Sequence, residues 1–331
     1  MAALRVSSAT QEYYDALESD NMIALWKIGE AADTVPRETV VPYVWRWADY
    51  YPHVVRSGKL MQYSPGAERR AVRFVNPGMR ERSGTTHTLV AAIQLLLPGE
   101  VAAAHRHMSA AVRFILEGDG AYTTVEGQRC VMHRYDLVLN PSWAWHDHGN
   151  ETGAPMSWFD VLDVPLLRTG LQSAFFEPST GARQQAVATQ AAGSSPTLVF
   201  PWEPTRRALD ALAARDASAY DDLYLEYTRP HVGGHLMPTI ACYAQMLRPG
   251  VRTRTHRHTS SAVYYVVEGE GTTFVDGQPY DWKRGDVLAL PPWSWHCHAN
   301  RSQSEAAILV SVTDRPVYDA LCIYLEEAGQ D

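Results

Sequence analysis

The chain has 331 residues, 46% of them apolar, and 29 Lys and Arg against 37 Asp and Glu give it a formal charge of −8. A net acidic chain is a poor partner for nucleic acid or an anionic membrane surface, and no stretch approaches the roughly 18 apolar residues that cross a bilayer as a helix. Cys130, Cys242, Cys297 and Cys322 show no paired spacing and the N-terminus has no apolar signal core, so a cytoplasmic protein with free thiols is expected.

In chain order, residues 9–31 read as a helix capped by Thr10, with Tyr14, Leu17, Ile23, Leu25 and Trp26 on its apolar side and Pro36 beyond its end. The stretch 42–60 is rich in aromatics (Trp45, Trp47, Tyr50, Tyr51) and is expected to pack against the following domain or a neighbouring subunit. Strand periodicity then sends Arg69, Ala71 and Arg73 to one face and Arg70, Val72 and Phe74 to the other. The next strand, Thr88–Leu96, carries Val90 and Ala92 on one face and feeds the turn Leu97-Pro98-Gly99.

His105 and His107 follow, two apart and therefore on one face of a strand. The apolar runs Ala111–Leu116 and Tyr135–Leu139, with the turn-rich Glu117-Gly-Asp-Gly and Glu126-Gly between them, predict two antiparallel hairpins. His146, in Pro141-x-Trp143-x2-His146-x-His148, arrives on a partner strand. Three imidazoles converging from strands make a metal site, suited to iron, zinc, copper or nickel.

The whole pattern occurs twice. His105-Arg-His107 is matched by His256-Arg-His258, and Trp143-Ala-Trp-His146-Asp-His148 by Trp293-Ser-Trp-His296-Cys-His298, at offsets of 151 and 150 residues. Gln94, Pro98 and Gly99 recur as Gln245, Pro249 and Gly250. A repeat of this clarity decides the architecture before any propensity argument.

On these motifs the chain resembles the cupins, and specifically a bicupin. The fold implied is all-β, two jelly-roll type barrels with an N-terminal helical segment and a C-terminal helix (Arg315–Ala328). The expected divisions are an N-terminal segment 1–66, a catalytic barrel 67–167, a linker 168–234 with a short helix over Arg206–Arg215 and a flexible Thr189–Ser195, and a second barrel with the closing helix over 235–331. Ala111 and Ala262 stand where many cupins carry a glutamate ligand, which leaves three histidines in each repeat. With Arg113-Phe-Ile-Leu-Glu-Gly and Trp143-Ala-Trp-His146-Asp-His148-Gly-Asn, the chain resembles the gentisate 1,2-dioxygenase family over residues 10–328. That family also includes salicylate and 1-hydroxy-2-naphthoate dioxygenases.

The resemblance implies Fe(II) at His105, His107 and His146, and cleavage by O2 of a 2-hydroxybenzoate between its carboxyl- and hydroxyl-bearing carbons. It also implies a homotetramer, and an arginine near the substrate carboxylate, carried onto Arg69. Relatives have a bulky aromatic where this chain has Val90, with a small pocket-wall position at Ala92. A substituted salicylate (nitro- or halo-) or a fused-ring analogue is therefore expected to fit as well as gentisate.

The repeats differ where chemistry should lie. Arg113 becomes Tyr264, and Asp160 aligns with Ser311 when Asp163-Val-Pro165 is set against Asp314-Arg-Pro316. A buried arginine beside three histidines needs an anion: a substrate carboxylate held by its fork, or a structural ion pair with Asp160. His148 shares a face with His146 and is read as a hydrogen-bond partner of that carboxylate or an acid/base for the phenol, with Asp160 orienting it or meeting a ring substituent. His256, His258 and His296 could hold a second metal or stand empty; without an arginine opposite, no turnover is expected there. Competing readings are a metal-dependent isomerase or quercetin-type dioxygenase, which usually keeps the glutamate that Ala111 and Ala262 replace, and a non-catalytic binding bicupin, which typically lacks the triad. His87 and His133 are expected to be structural.

Overall fold

The computed structural model describes residues 7–28, 39–61, 70–179, 181, 183, 197–213 and 217–330. The chain divides into two compact units, Met1–Glu38 and Thr39–Asp331. In the first, the single helix expected over 9–31 is two, Ser8–Ser19 and Leu25–Ile28. Ser7 is the cap rather than Thr10; its Oγ accepts from the Thr10 amide at 3.2 Å. Asn21 takes a left-handed φ of 57°, which ends the first helix. Pro36 and Thr189–Ser195 lie outside the described residues.

The second unit is built from antiparallel sheets, as the repeat implies. One six-stranded sheet runs Val199–Phe200, Leu137–Asn140, Ala111–Glu117, Met156–Leu162, Val90–Leu96, Ala71–Phe74; its counterpart runs Tyr43–Trp45, Val287–Leu290, Ala262–Glu268, Ala307–Thr313, Ala241–Leu247, Leu223–Glu226. Each faces a five-stranded sheet that carries the histidines, at Val101–His107 and His146–Gly149 in the first barrel and at His256–His258 and His296–Asn300 in the second. The barrels exchange strands. Tyr43–Trp45, which precedes the first barrel, pairs with Val287–Leu290 of the second, and Val199–Phe200 pairs with Leu137–Asn140 of the first.

The outer faces of the two six-stranded sheets pack on each other. Ala91, Ile93, Phe114 and Phe159 share one core with Cys242, Ala244, Val263 and Tyr265, and the Tyr265 ring lies 5.9 Å from Phe114 and 5.8 Å from Phe159. Val90–Leu96 is thus buried on both faces, which explains why it reads as a nearly continuous apolar run instead of alternating. Repeat-equivalent polar contacts cross between the two halves: Thr239 donates to Asp163, and Thr88 donates to Asp314.

Tight turns recur in both halves. Glu126-Gly127 and Asp276-Gly277 have positive φ at both central residues, the hairpin geometry that matches strand twist. The aromatic stretch before the first barrel packs on the second: Trp47 stacks on Tyr51 at 3.8 Å, and the Tyr50 hydroxyl donates to the Gly285 carbonyl at 2.6 Å. The expected C-terminal helix is shorter than its sequence suggests. It spans Arg315–Ala320, Cys322 turns left-handed, and Glu326–Ala328 forms a strand on His256–His258, as Phe176–Pro178 does on Val101–His107. Strand pairing at an otherwise open sheet edge wins over local helix propensity.

Candidate active site

His105 and His146 are direct partners in the strand register, and His107 lies two residues along on the same face. Their rings converge at centroid distances of 4.3, 4.7 and 5.6 Å, and one ligand atom from each lies within 4.8 Å of the others. Backbone carbonyls select the tautomer. Nδ1 of His105, His107 and His146 lies 2.7, 2.7 and 2.9 Å from the carbonyls of Ala103, Ser109 and Ala144. A carbonyl only accepts, so Nδ1 carries the proton and Nε2 keeps its lone pair for a metal. Burial, with the neighbouring His105 and His107, holds His146 well below the usual imidazole range, in the neutral form a metal requires. The donor set fits a first-row divalent ion with open positions.

The turn that delivers His146 is strained and clamped. Trp143 has φ 62°, and its amide donates to the His107 carbonyl at 2.8 Å. The Arg106 guanidinium covers both Trp143 and Trp145, at 4.4 and 4.8 Å. The repeat does the same with Trp293 and Arg257.

A cavity of about 310 Å³ opens on the triad. That is room for one small aromatic acid. Its described lining includes Ala71, Arg73, Val90, Ala92, Ala111, Arg113, Asn140, His148, Asp160, Leu162 and Val164. Inward positions form a grid across the sheet. Arg73 pairs with Ala92, Ala92 with Asp160, and Asp160 with Arg113. Apart from the histidines, no aromatic ring belongs to the described lining, which includes Val90 and Ala92.

Arg113, 4% exposed, does meet Asp160. Nε donates to Oδ1 at 2.9 Å and Nη2 to Oδ2 at 3.2 Å, while the Trp158 indole donates to Oδ2 at 3.0 Å. The other edge of the guanidinium lies 2.7 Å from Nδ1 and 3.3 Å from Nε2 of His148. Burial, then the Arg113 charge, keeps His148 neutral. Burial also raises the Asp160 carboxyl, and Arg113 and Trp158 pull against it by charge and hydrogen bonds. Arg113, His148 and Asp160 are therefore one buried network on the wall of the metal cavity.

Arg69 lies outside the described residues. Of its expected face-mates, Ala71 and Arg73 line the cavity, whereas Arg70 turns away to Glu100. Among the described residues Arg73 makes no ion pair. His87 bonds Tyr318 at 2.9 Å and His133 pairs with Asp119, both away from the site. Asn140 escaped the sequence reading. It is 1% exposed, lines the cavity, and neither atom of its amide has a hydrogen-bond partner. The signal was present, since the second repeat has Leu290 there.

The Cupin domain family model matches residues 92–162 and 244–312. A 5-aminosalicylate 1,2-dioxygenase of Comamonas sp is 40% identical over 95% of this chain and 90% of that protein. Gentisate 1,2 dioxygenase 1 of Aquipseudomonas alcaligenes is 34% identical over 97% of each. The chain belongs to the gentisate 1,2-dioxygenase family. Among solved structures, a salicylate 1,2-dioxygenase from Pseudoaminobacter salicylatoxidans in its adduct with gentisate superposes with a TM-score of 0.90, at 30% identity, over 99% of this chain and 96% of that one. Membership in this gentisate dioxygenase family makes the chain a ring-cleaving dioxygenase of the two-barrel kind, and among the described residues no helix is long and apolar enough to cross a membrane.

Proposed function

We propose that the first barrel is an Fe(II)-dependent dioxygenase site for a 5-substituted 2-hydroxybenzoate, with 5-aminosalicylate and gentisate as the leading candidates. The observation that carries this reading is the single cavity that unites a three-histidine metal site with the Arg113–His148–Asp160 network. Bound ferrous iron would supply adjacent coordination positions and a path by which electrons of the ionised phenol reach O2.

The chain's own residues bind and orient. The Arg113 fork is the buried cation that a substrate carboxylate needs, and Asp160 holds it in the orientation for that contact. Neutral His148 adds a hydrogen bond to a substrate oxygen. Its lowered basicity suits it to holding a hydrogen bond better than to storing a proton. The orphaned Asn140 amide supplies a polar partner on the opposite side of Ala111, and the enclosed wall keeps bulk water from the reacting carbons. Bond cleavage falls between the carboxyl- and hydroxyl-bearing carbons, and both oxygen atoms of O2 remain in the ring-opened product. The enzyme is read as a cytoplasmic homotetramer.

Val90 and Ala92 favour a second reading, 1-hydroxy-2-naphthoate as substrate, because a fused ring needs the volume they leave. Oxygen uptake and product mass should be measured on the iron-loaded enzyme with gentisate, 5-aminosalicylate, 5-nitrosalicylate, salicylate and 1-hydroxy-2-naphthoate. The expected ranking puts the 5-substituted salicylates first. Strong preference for the naphthoate would replace the first reading with the second, and failure to open any of these rings would end both. His105→Ala, His107→Ala or His146→Ala should abolish iron content and oxygen uptake together.

A further inference from the structure

The second barrel keeps its histidines but replaces the residues that wall the first barrel's cavity. Its metal-facing geometry repeats the first closely. His256 and His296 are register partners, and ring centroids in the triad are 4.2, 4.9 and 5.7 Å apart, with one ligand atom from each within 4.8 Å of the others. Nδ1 of His258 and His296 lies 2.8 and 2.9 Å from the carbonyls of Ser260 and Ser294, which frees both Nε2 atoms toward the centre. Nδ1 of His256 is buried with no hydrogen-bond partner. Three imidazoles turned toward one another inside the protein, at least two of them presenting Nε2 lone pairs, are a donor set that a cation can join.

Tyrosines stand at the second barrel's counterparts of the substrate wall, two of them buried (Tyr243, Tyr264) and Tyr224 38% exposed. Tyr224 stands opposite Gln245 as Ala71 stands opposite Gln94. Tyr243 and Tyr264 flank Ser311 as Ala92 and Arg113 flank Asp160. Thus two alanines and an arginine of the open cavity become three phenol rings. Tyr224 stacks on Tyr243 at 4.7 Å, and Tyr264 packs on His298 at 5.3 Å. The fork and its carboxylate are both gone, so no charged group at these positions would pair with an aromatic acid. Residues 218–222 add a cover: Gln245 Nε2 donates to the Asp221 carbonyl at 2.9 Å, the Arg254 amide donates to the Ala219 carbonyl at 2.8 Å, and the Tyr220 ring sits 5.3 Å from His256.

We propose that His256, His258 and His296 hold a second divalent metal ion in a closed, substrate-excluding site that stabilises the second barrel. All-imidazole ligation suits zinc or ferrous iron. The ion ties Glu326–Ala328 and the 218–222 cover to the sheet through the His256–His258 strand they flank.

Metal content tests this without reference to turnover, so the outcome is separate from the ring-cleavage reading. The His105→Ala/His107→Ala double variant, stripped with chelator and dialysed against Zn(II) alone, should retain about one ion per chain, and wild type about two. Less than about a fifth of an ion in the folded first-site variant overturns the proposal, and this measurement needs no second-site variant to fold. Where His256→Ala/His258→Ala does fold, its melting temperature should fall by about 4 °C or more relative to zinc-loaded wild type. An unchanged melting temperature overturns the stabilising role. Co(II) loaded into the first-site variant reports on exclusion: its visible absorption should not move when millimolar salicylate is added. A shift would show that aromatic acids reach the second metal.

Discussion

Arg113 and Asp160 face each other across adjacent strands and meet twice, Nε to Oδ1 at 2.9 Å and Nη2 to Oδ2 at 3.2 Å. The pairing uses the Nε–Nη2 edge of the fork and leaves the Nη1 side against His148, so the cation is oriented before any ligand arrives. Arg113→Lys keeps the charge but cannot make both contacts. Substrate binding should weaken by roughly 1–3 kcal/mol while metal content stays unchanged. Calorimetric titration with salicylate, alongside metal analysis, checks this; normal affinity in the lysine variant would make Arg113 a structural residue alone.

Asn140 makes a two-sided prediction. Its amide is buried with both atoms unpaired, and such a group costs about 1–3 kcal/mol. Asn140→Leu, the residue of the second repeat, should raise the denaturation midpoint and lower kcat/KM about tenfold. Gain in stability with unaltered kcat/KM would mean that the amide faces no ligand.

Val90→Trp should refill the wall that Val90 and Ala92 leave open. The ratio of kcat/KM for 1-hydroxy-2-naphthoate to that for gentisate is expected to drop about tenfold or more, since an overfilled pocket costs on the order of 1–3 kcal/mol. A ratio that does not move would show that ring size is read elsewhere.

Asp163 links acidity to stability. Burial pushes its carboxyl up to about 6 from 3.8, despite the hydrogen bond donated by Thr239. Between those values the folded chain holds a proton that the unfolded chain releases, so stability falls as pH rises through about 4 to 6. Above that window the ionised group costs up to roughly 2–3 kcal/mol. Asp163→Asn keeps an acceptor for Thr239 and should stabilise by about 1–3 kcal/mol at pH 7.5 and by little at pH 4. Denaturant melts at both pH values decide it: equal effects at the two would place the change in packing, not in titration.

Sequence alone determined the two-barrel architecture, both histidine triads and the Arg113–Asp160 difference between the repeats. All of these rest on local spacing: residues two apart share a strand face, and a repeat imposes one topology on two segments. What tertiary structure decided lies between strands distant in the chain. The terminal Glu326–Ala328 pairs with the histidine strand because a sheet edge offered partners that a solitary helix turn could not. Likewise, Tyr43–Trp45 completes the second barrel, not the first that follows it in sequence. Register put Asn140 into the cavity and turned Arg70 away to Glu100 while Arg73 stayed on the wall. The same register set Tyr224, Tyr243 and Tyr264 where the first barrel has Ala71, Ala92 and Arg113. Each of those tyrosines reads in isolation as an ordinary strand aromatic. Only cross-strand neighbours, which one-dimensional spacing does not encode, show that together they occupy the counterpart of the first barrel's cavity wall.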